Sequence, residues 1–109
     1  MVKFPDKGDV VWLDFHPQIG KEITKTRPAL VISPYEYNVK TGLALFLPIT
    51  TNVKGYPFEY KVSMSKVTGV VLCDQVRSMD YKARNAKKIC SISIESFNDI
   101  ISLLILLID

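Results

Sequence analysis

Cations and hydroxyls, rather than carboxylate pairs or histidines, are the residues of this sequence best suited to chemistry. Arg27 and Thr50, with Lys21, Glu22, Lys25 and Lys54 on adjoining loops, could hold a phosphodiester, and Tyr56 and Phe58 could stack on bases. A guanidinium grips phosphate through a planar fork that an ammonium lacks. The same spacing equally allows Arg27 a structural pairing with a carboxylate such as Glu22. His16, the only histidine, ends an apolar run before Pro17 and is expected at the surface rather than in catalysis. There is no Gly-rich phosphate loop, no nucleophile elbow and no pair of histidines at ligand spacing, so P-loop, serine-hydrolase and zinc chemistry find no support. Cys73 and Cys90 each lie in an apolar stretch without a Cys or His at metal-ligand spacing, and are expected as structural free thiols. No metal and no cofactor is expected.

Two strands joined by a polar, lysine-bearing loop must carry this set. Residues 10–15 and 29–32 are rich in β-branched and aromatic side chains and are bounded by Gly8, Pro17, Pro28 and Pro34. Pro28 holds Arg27 extended and has no N–H, so the second strand should begin at or just after this pair. Residues 34–42 form a polar connection with room for one helical turn. A strand over 43–49 follows, ended by Pro48 and the loop 50–55. If Ser33 faces Ala44 across this wide hairpin, antiparallel partners sum to 77 and Arg27 lies opposite Thr50.

Further strands are expected at 58–62, 69–76 and 87–91, the middle one running into Asp74, Gln75, Val76, Arg77 and Ser78, with a helical turn at 80–84. Ser93, with Glu95 close behind, should start the one long helix, to about Ile108. There Glu95, Asp99 and Ser102 make a narrow polar stripe. Ile94, Phe97, Ile101, Leu104, Ile105 and Ile108 line one apolar face, and Ile100, Leu103 and Leu107 a second. That is more apolar surface than one core needs, and the apolar run is far short of the roughly 20 residues of a membrane span, so a buried helix or a subunit contact is expected.

The 109 residues are 48% hydrophobic with no repeat or low-complexity tract, as expected of one globular domain over 1–109, mainly β with a C-terminal helix. The start of the chain has no apolar run suited to a signal sequence, which points to the cytoplasm. Residues 1–88 hold all 14 Lys and Arg against 8 acids, whereas the remainder holds Glu95, Asp99 and Asp109 and no base. A basic body suits a phosphate-bearing partner, although a surplus this small is also common on solvated faces.

Six short blocks add to this reading: Gly8-Asp-Val-Val-Trp-Leu-Asp-Phe, Gly20-Lys-Glu, Arg27-Pro-Ala, Pro48-Ile-Thr, Lys54-Gly-Tyr-Pro-Phe and Asp74-Gln-Val-Arg-Ser. In order and spacing they resemble the MazF/PemK family of toxin endoribonucleases, most closely its MazF branch, over nearly the whole chain. The resemblance implies an SH3-like β-barrel, a homodimer, and neutralisation by a cognate antitoxin whose acidic, flexible C-terminal segment covers the RNA site. It also implies metal-independent cleavage of single-stranded mRNA at a short sequence, leaving a 2′,3′-cyclic phosphate and a 5′-hydroxyl. By position the family's catalytic arginine falls on Arg27, its catalytic threonine on Thr50 and its loop glutamate on Glu22, while Asp74, Gln75 and Arg77 fall in the motif linked to base recognition. Lys21 and Leu72 replace a histidine and an arginine of the PemK branch, whose catalytic scheme is therefore not expected here, although Asp74 is retained.

Such chemistry requires a proton to leave a ribose 2′-hydroxyl, a dianionic phosphorane to be stabilised and the leaving 5′-oxygen to be protonated. Arg27, too basic to shuttle protons well, suits the second task, and Thr50 suits a hydrogen bond to a non-bridging oxygen. Glu22 suits either the base or the holding of Arg27. Two other classes stay open: a barrel that binds nucleic acid or protein without cutting it, and a CcdB-like gyrase poison. The second needs a tryptophan near the C-terminus, whereas the sole tryptophan is Trp12.

Overall fold

The computed structural model describes residues 4–15 and 26–108, and seven strands and two helices lie within them: β1 (Asp9–Asp14), β2 (Thr26–Val31), α1 (Tyr35–Thr41), β3 (Leu43–Thr50), β4 (Glu59–Ser63), β5 (Thr68–Leu72), β6 (Arg77–Asp80), β7 (Lys87–Ser91) and α2 (Ile94–Ile108). All strand pairs are antiparallel. The sheet follows the order β4-β5-β3-β2-β1-β7, with β6 added to β3, and forms a half-barrel against which α2 packs.

β3 organises this half-barrel because it has three partners. Its first half pairs with β6, from Leu43↔Asp80 to Phe46↔Arg77, and its end pairs with β5 through Ile49↔Val71 and Thr50↔Val70. Its other edge pairs with β2 as Ala29↔Pro48, Leu30↔Leu47 and Val31↔Phe46, the register that sums to 77. Pro48 does not end the strand as expected. The Ile32 amide donates to the Leu45 carbonyl at 3.0 Å, so Leu45 and Leu47 bond toward β2 while Phe46 and Pro48 face the opposite edge. There β6 stops at Phe46 and β5 begins at Ile49, so the missing N–H of Pro48 falls in the gap between two partners and costs no ladder bond.

Both faces of the sheet are covered, which is why these strands read as continuous apolar runs. On one face Val10, Leu30, Leu47, Ile49, Val71 and Cys73 pack with Ile100 of α2; on the other Val11, Leu13, Ala29, Val31, Phe46, Met79 and Tyr81 form a second cluster. Strand β6 was not anticipated: its sequence Arg-Ser-Met-Asp buries Met79 alone, too little to show an alternation. α1 is longer than the expected single turn, and it ends where Gly42 adopts φ +74° and donates its N–H to the Asn38 carbonyl. Buried Asn38 ties the region together, its side-chain amide donating to the carbonyls of Pro5 (2.8 Å) and Ser33 (3.1 Å) while the Tyr81 hydroxyl donates to its backbone carbonyl at 2.7 Å.

Ser93 caps α2 as expected, its hydroxyl accepting the Ser96 N–H at 3.1 Å. The docked face differs from both expected faces: Phe97, Ile100 and Leu103 meet the barrel, whereas Ile94, Leu106 and Ile108 are 79%, 69% and 77% exposed and Ile105 and Leu107 nearly half so. Among the described residues no helix is long and apolar enough to cross a membrane.

Candidate active site

The hairpin of β2 and β3 sets the geometry. Two residues beyond Ala29↔Pro48, the same register puts Arg27 opposite Thr50, and both side chains line a cavity of about 360 Å³ together with Pro28, Ile49, Thr51, Asn52 and Thr68. The same pair, with Asn52, also lines a second cavity of about 180 Å³ whose other walls are Lys54, Tyr56, Glu59, Leu72 and Gln75. Arg27 and Thr50 thus stand where two hollows meet. A larger cavity, about 700 Å³, lies elsewhere among Phe4, Tyr35, Tyr81 and the Asp9–Lys88 ion pair, and does not touch this pair.

Arg27 is well mounted for an exposed side chain. It lies in β2 opposite Leu13 of β1, two residues before the ladder to β3 begins at Ala29↔Pro48. Thr50 is half-buried at the end of β3, and its Oγ1 accepts the Asn52 N–H at 3.1 Å, which leaves the hydroxyl proton to be donated outward. Behind it, β5 comes unusually close. Gly69 has φ +144°, and a Cβ there would stand 2.4 Å from the Thr50 carbonyl oxygen and 3.0 Å from its carbon. Only glycine lets β5 approach so near, so Gly69 fixes the backbone that carries Thr50.

The loop after β3 is held at two points. Both oxygens of Glu59 accept backbone N–H groups, Oε2 from Lys54 (3.0 Å) and Oε1 from Gly55 (2.8 Å). The Tyr56 hydroxyl donates to Asp74 Oδ1 at 3.1 Å. Partial burial raises the Tyr56 pKa, and the hydrogen bond and negative charge of Asp74 push it further the same way, so the phenol stays a donor at neutral pH. Beneath Asp74, the Cys73 thiol is fully buried and its pKa is pushed up to about 11, first by burial and then by the Asp74 charge, so it is no nucleophile. Among the described residues no three His, Cys, Asp or Glu side chains gather as metal ligands.

Of the site residues expected from the sequence, Arg27, Thr50, Lys54, Tyr56 and Gln75 are brought to these two cavities, and Asp74 adjoins them through Tyr56. Two are not. Phe58 packs its ring against the barrel core, and Arg77 points its guanidinium over Phe15, 5.8 Å from the ring centre. Lys21, Glu22 and Lys25, together with His16, lie outside the described residues. The structure adds Thr51, Asn52, Glu59, Thr68 and Gly69 to the surroundings of this pair. A polar run Thr-Thr-Asn at a strand end was the available signal for the first two, and a glycine interrupting a β-rich run for the last.

A family model described as PemK-like, MazF-like toxin of type II toxin-antitoxin system matches residues 6–108. The endoribonuclease toxin MazF of Escherichia coli (strain K12) is 51% identical over 84 residues, 77% of this chain and 76% of that protein. The crystal structure of MazF from Deinococcus radiodurans superposes with a TM-score of 0.89 at 41% identity over 98% of both chains. A MazE–MazF complex from the same organism matches with a TM-score of 0.88 at 42% identity over 95% of both. A half-barrel built on β3, an arginine and a threonine lining the same two cavities at the end of its hairpin, and a family match over residues 6–108 lead to one conclusion: the chain belongs to the PemK-like, MazF-like toxins of type II toxin–antitoxin systems.

Proposed function

We propose that Arg27 and Thr50 are the catalytic pair of a toxin endoribonuclease that cuts single-stranded mRNA at a short sequence. The observation that carries this is that both line the same two cavities at the end of the β2–β3 hairpin, one walled also by Thr51, Asn52 and Thr68 and the other by Lys54, Tyr56, Glu59 and Gln75. A scissile phosphate at that junction can receive the bidentate guanidinium of Arg27 and the hydroxyl of Thr50 on its non-bridging oxygens, where negative charge grows as the phosphorane forms. The nucleophile is the substrate's own 2′-hydroxyl, so the P–O5′ bond breaks as the P–O2′ bond forms, leaving a 2′,3′-cyclic phosphate and a 5′-hydroxyl. Glu22 takes the 2′-proton or orients Arg27. Lys54, together with Lys21 and Lys25, holds flanking phosphates, while Tyr56 stacks on a base and Gln75 reads a base edge.

The partner is a cognate antitoxin, in keeping with the family and with the MazE–MazF complex that the chain resembles. Its acidic, flexible segment occupies the RNA groove, so antitoxin and RNA exclude each other and antitoxin binding weakens as salt rises. The exposed apolar residues of α2, with Trp12 at 42% exposure, form a homodimer contact in the cytoplasm. A monomer at micromolar concentration by light scattering would contradict that contact. The cleavage itself is tested by incubating the protein with a long single-stranded RNA in EDTA and mapping the cut ends, then repeating with deoxyribose at the single position 5′ of the cut. Cutting should survive EDTA and be abolished by the one deoxyribose while binding is nearly unchanged. Persistent cutting of the deoxy substrate, or a strict need for Mg²⁺, would sink the proposal.

A further inference from the structure

A carboxylate lining a groove meant for a polyanion calls for an explanation, because an uncompensated negative charge there repels phosphate. Glu59 is that carboxylate: it lines the same cavity as Arg27, Thr50 and Lys54. Both of its oxygens are committed, since they accept the consecutive N–H groups of Lys54 and Gly55 at 3.0 and 2.8 Å. In return the Glu59 N–H donates to the Tyr56 carbonyl at 3.2 Å. The segment between reverses at Gly55, whose φ of +85° lies in the left-handed region. Glu59 is itself the first residue of β4, paired with Leu72 of β5, so the anchor belongs to the sheet and not to the loop.

We infer that Glu59 is a positioning residue that preforms a phosphate clip: its carboxylate, neutralised by two backbone amides, locks the 54–56 turn and so presents Lys54 and Tyr56, on either side of Gly55, to the RNA backbone and a base. The clip rests on the proposed RNA-cutting function and adds its rigidity to it. Because the turn is ordered before RNA arrives, binding forfeits less conformational freedom than a mobile lysine loop would.

Glu59→Gln keeps size and shape but offers one acceptor oxygen where two N–H groups need one each. KM should rise about tenfold with kcat within about twofold of the parent, because the turn serves binding rather than bond breaking. With the uncleavable deoxy-substituted RNA, the plot of log Kd against log salt should become shallower by about one phosphate contact. Lys54→Ala should give the same change, and the double variant no more than either alone. Gly55→Ala approaches the turn independently: its Cβ has open space, but alanine resists the backbone angle, so the same KM rise is expected without touching the carboxylate. Unaltered Kd and salt slope in Glu59→Gln, additive losses with Lys54→Ala, or a fall in kcat at constant KM would overturn the inference. Cleavage by the parent protein is measured in the same series, so failure of the proposed function shows as no cutting at all, while failure of the clip shows only in the variants.

Discussion

Replacing Gly69 by alanine tests how Thr50 is held. The added Cβ would lie 2.4 Å from the Thr50 carbonyl oxygen, while ordinary contact begins near 3.4 Å, so the two strands must part by about 1 Å at this point. The obstacle is backbone, not a side chain that can swing aside, and Thr50 sits at the end of β3, where the strand can give. If Thr50 has its proposed catalytic role, a displacement of this size costs on the order of a hundredfold in rate. The backbone angle of +144° adds roughly 1–2 kcal/mol of strain for a residue with a Cβ, which should lower the melting temperature by roughly 5–15 °C. We therefore expect kcat on a short RNA to fall about a hundredfold at a temperature where circular dichroism shows the variant folded, with KM little changed. The decisive comparison is a double-mutant cycle with Thr50→Val. If Gly69 acts through Thr50, adding Gly69→Ala to Thr50→Val should cost at most a few-fold more. Parental turnover in Gly69→Ala, or a full hundredfold loss on top of Thr50→Val, would refute the reasoning.

Arg27→Lys retains the charge but loses the planar fork, and should lower turnover by about a hundredfold or more with a much smaller change in affinity for the deoxy-substituted RNA. An equal loss in both, by single-turnover kinetics and fluorescence anisotropy, would make Arg27 a binding residue only. Asn38→Ala strands the buried Ser33 hydroxyl and the carbonyls of Pro5 and Ser33, and should destabilise the fold by about 2–3 kcal/mol in urea titration, against about 1 or less if water fills the gap. The raised Cys73 pKa fixes the sign of an alkaline effect. The folded chain keeps the thiol protonated while the unfolded chain ionises it, so this stabilisation is complete below about pH 9 and is lost as pH rises toward about 11. Cys73→Ala should make that stretch of the stability-against-pH curve shallower, and an unchanged slope would show that other groups set it.

Much of the framework was legible because the hairpin is specified by several signals at once. β1 and β2 announce themselves by β-branched runs between glycines and prolines, and one assumed pairing, Ser33 with Ala44, placed every later pair of the β2–β3 ladder correctly, including Ala29↔Pro48. Ser93 marked the start of α2 for a local reason, its hydroxyl on the Ser96 N–H. What escaped depends on tertiary context. Pro48 reads as a strand end because a missing N–H harms a ladder, yet here it falls where neither β6 nor β5 needs it. Phe58 reads as a stacking residue because an aromatic beside Tyr56 and Lys54 fits RNA, but in the turn just before β4 it packs on the same core cluster as Tyr60 and Val62. Glu59 contacts backbone N–H groups of another segment, a kind of contact that leaves no trace in residue type, whereas Gly69 shows only as a glycine interrupting a β-rich run.

The pairing of β1 joins the earliest strand of the chain to the latest. β1 is synthesised first, but its outer neighbour β7 begins some seventy residues later, at Lys87, and Ile100, which completes the barrel core, follows β7. Loop closure over such a span precedes any stabilisation by the contacts it allows. The strands that carry and flank Arg27 and Thr50, β1, β2, β3 and β5, are all made by Leu72, so β7 joins the sheet after every strand around the site already exists. Until Lys87–Ser91 is made, the edge of β1 that β7 covers has no strand on it, so that edge is the last part of the sheet to gain its backbone partners.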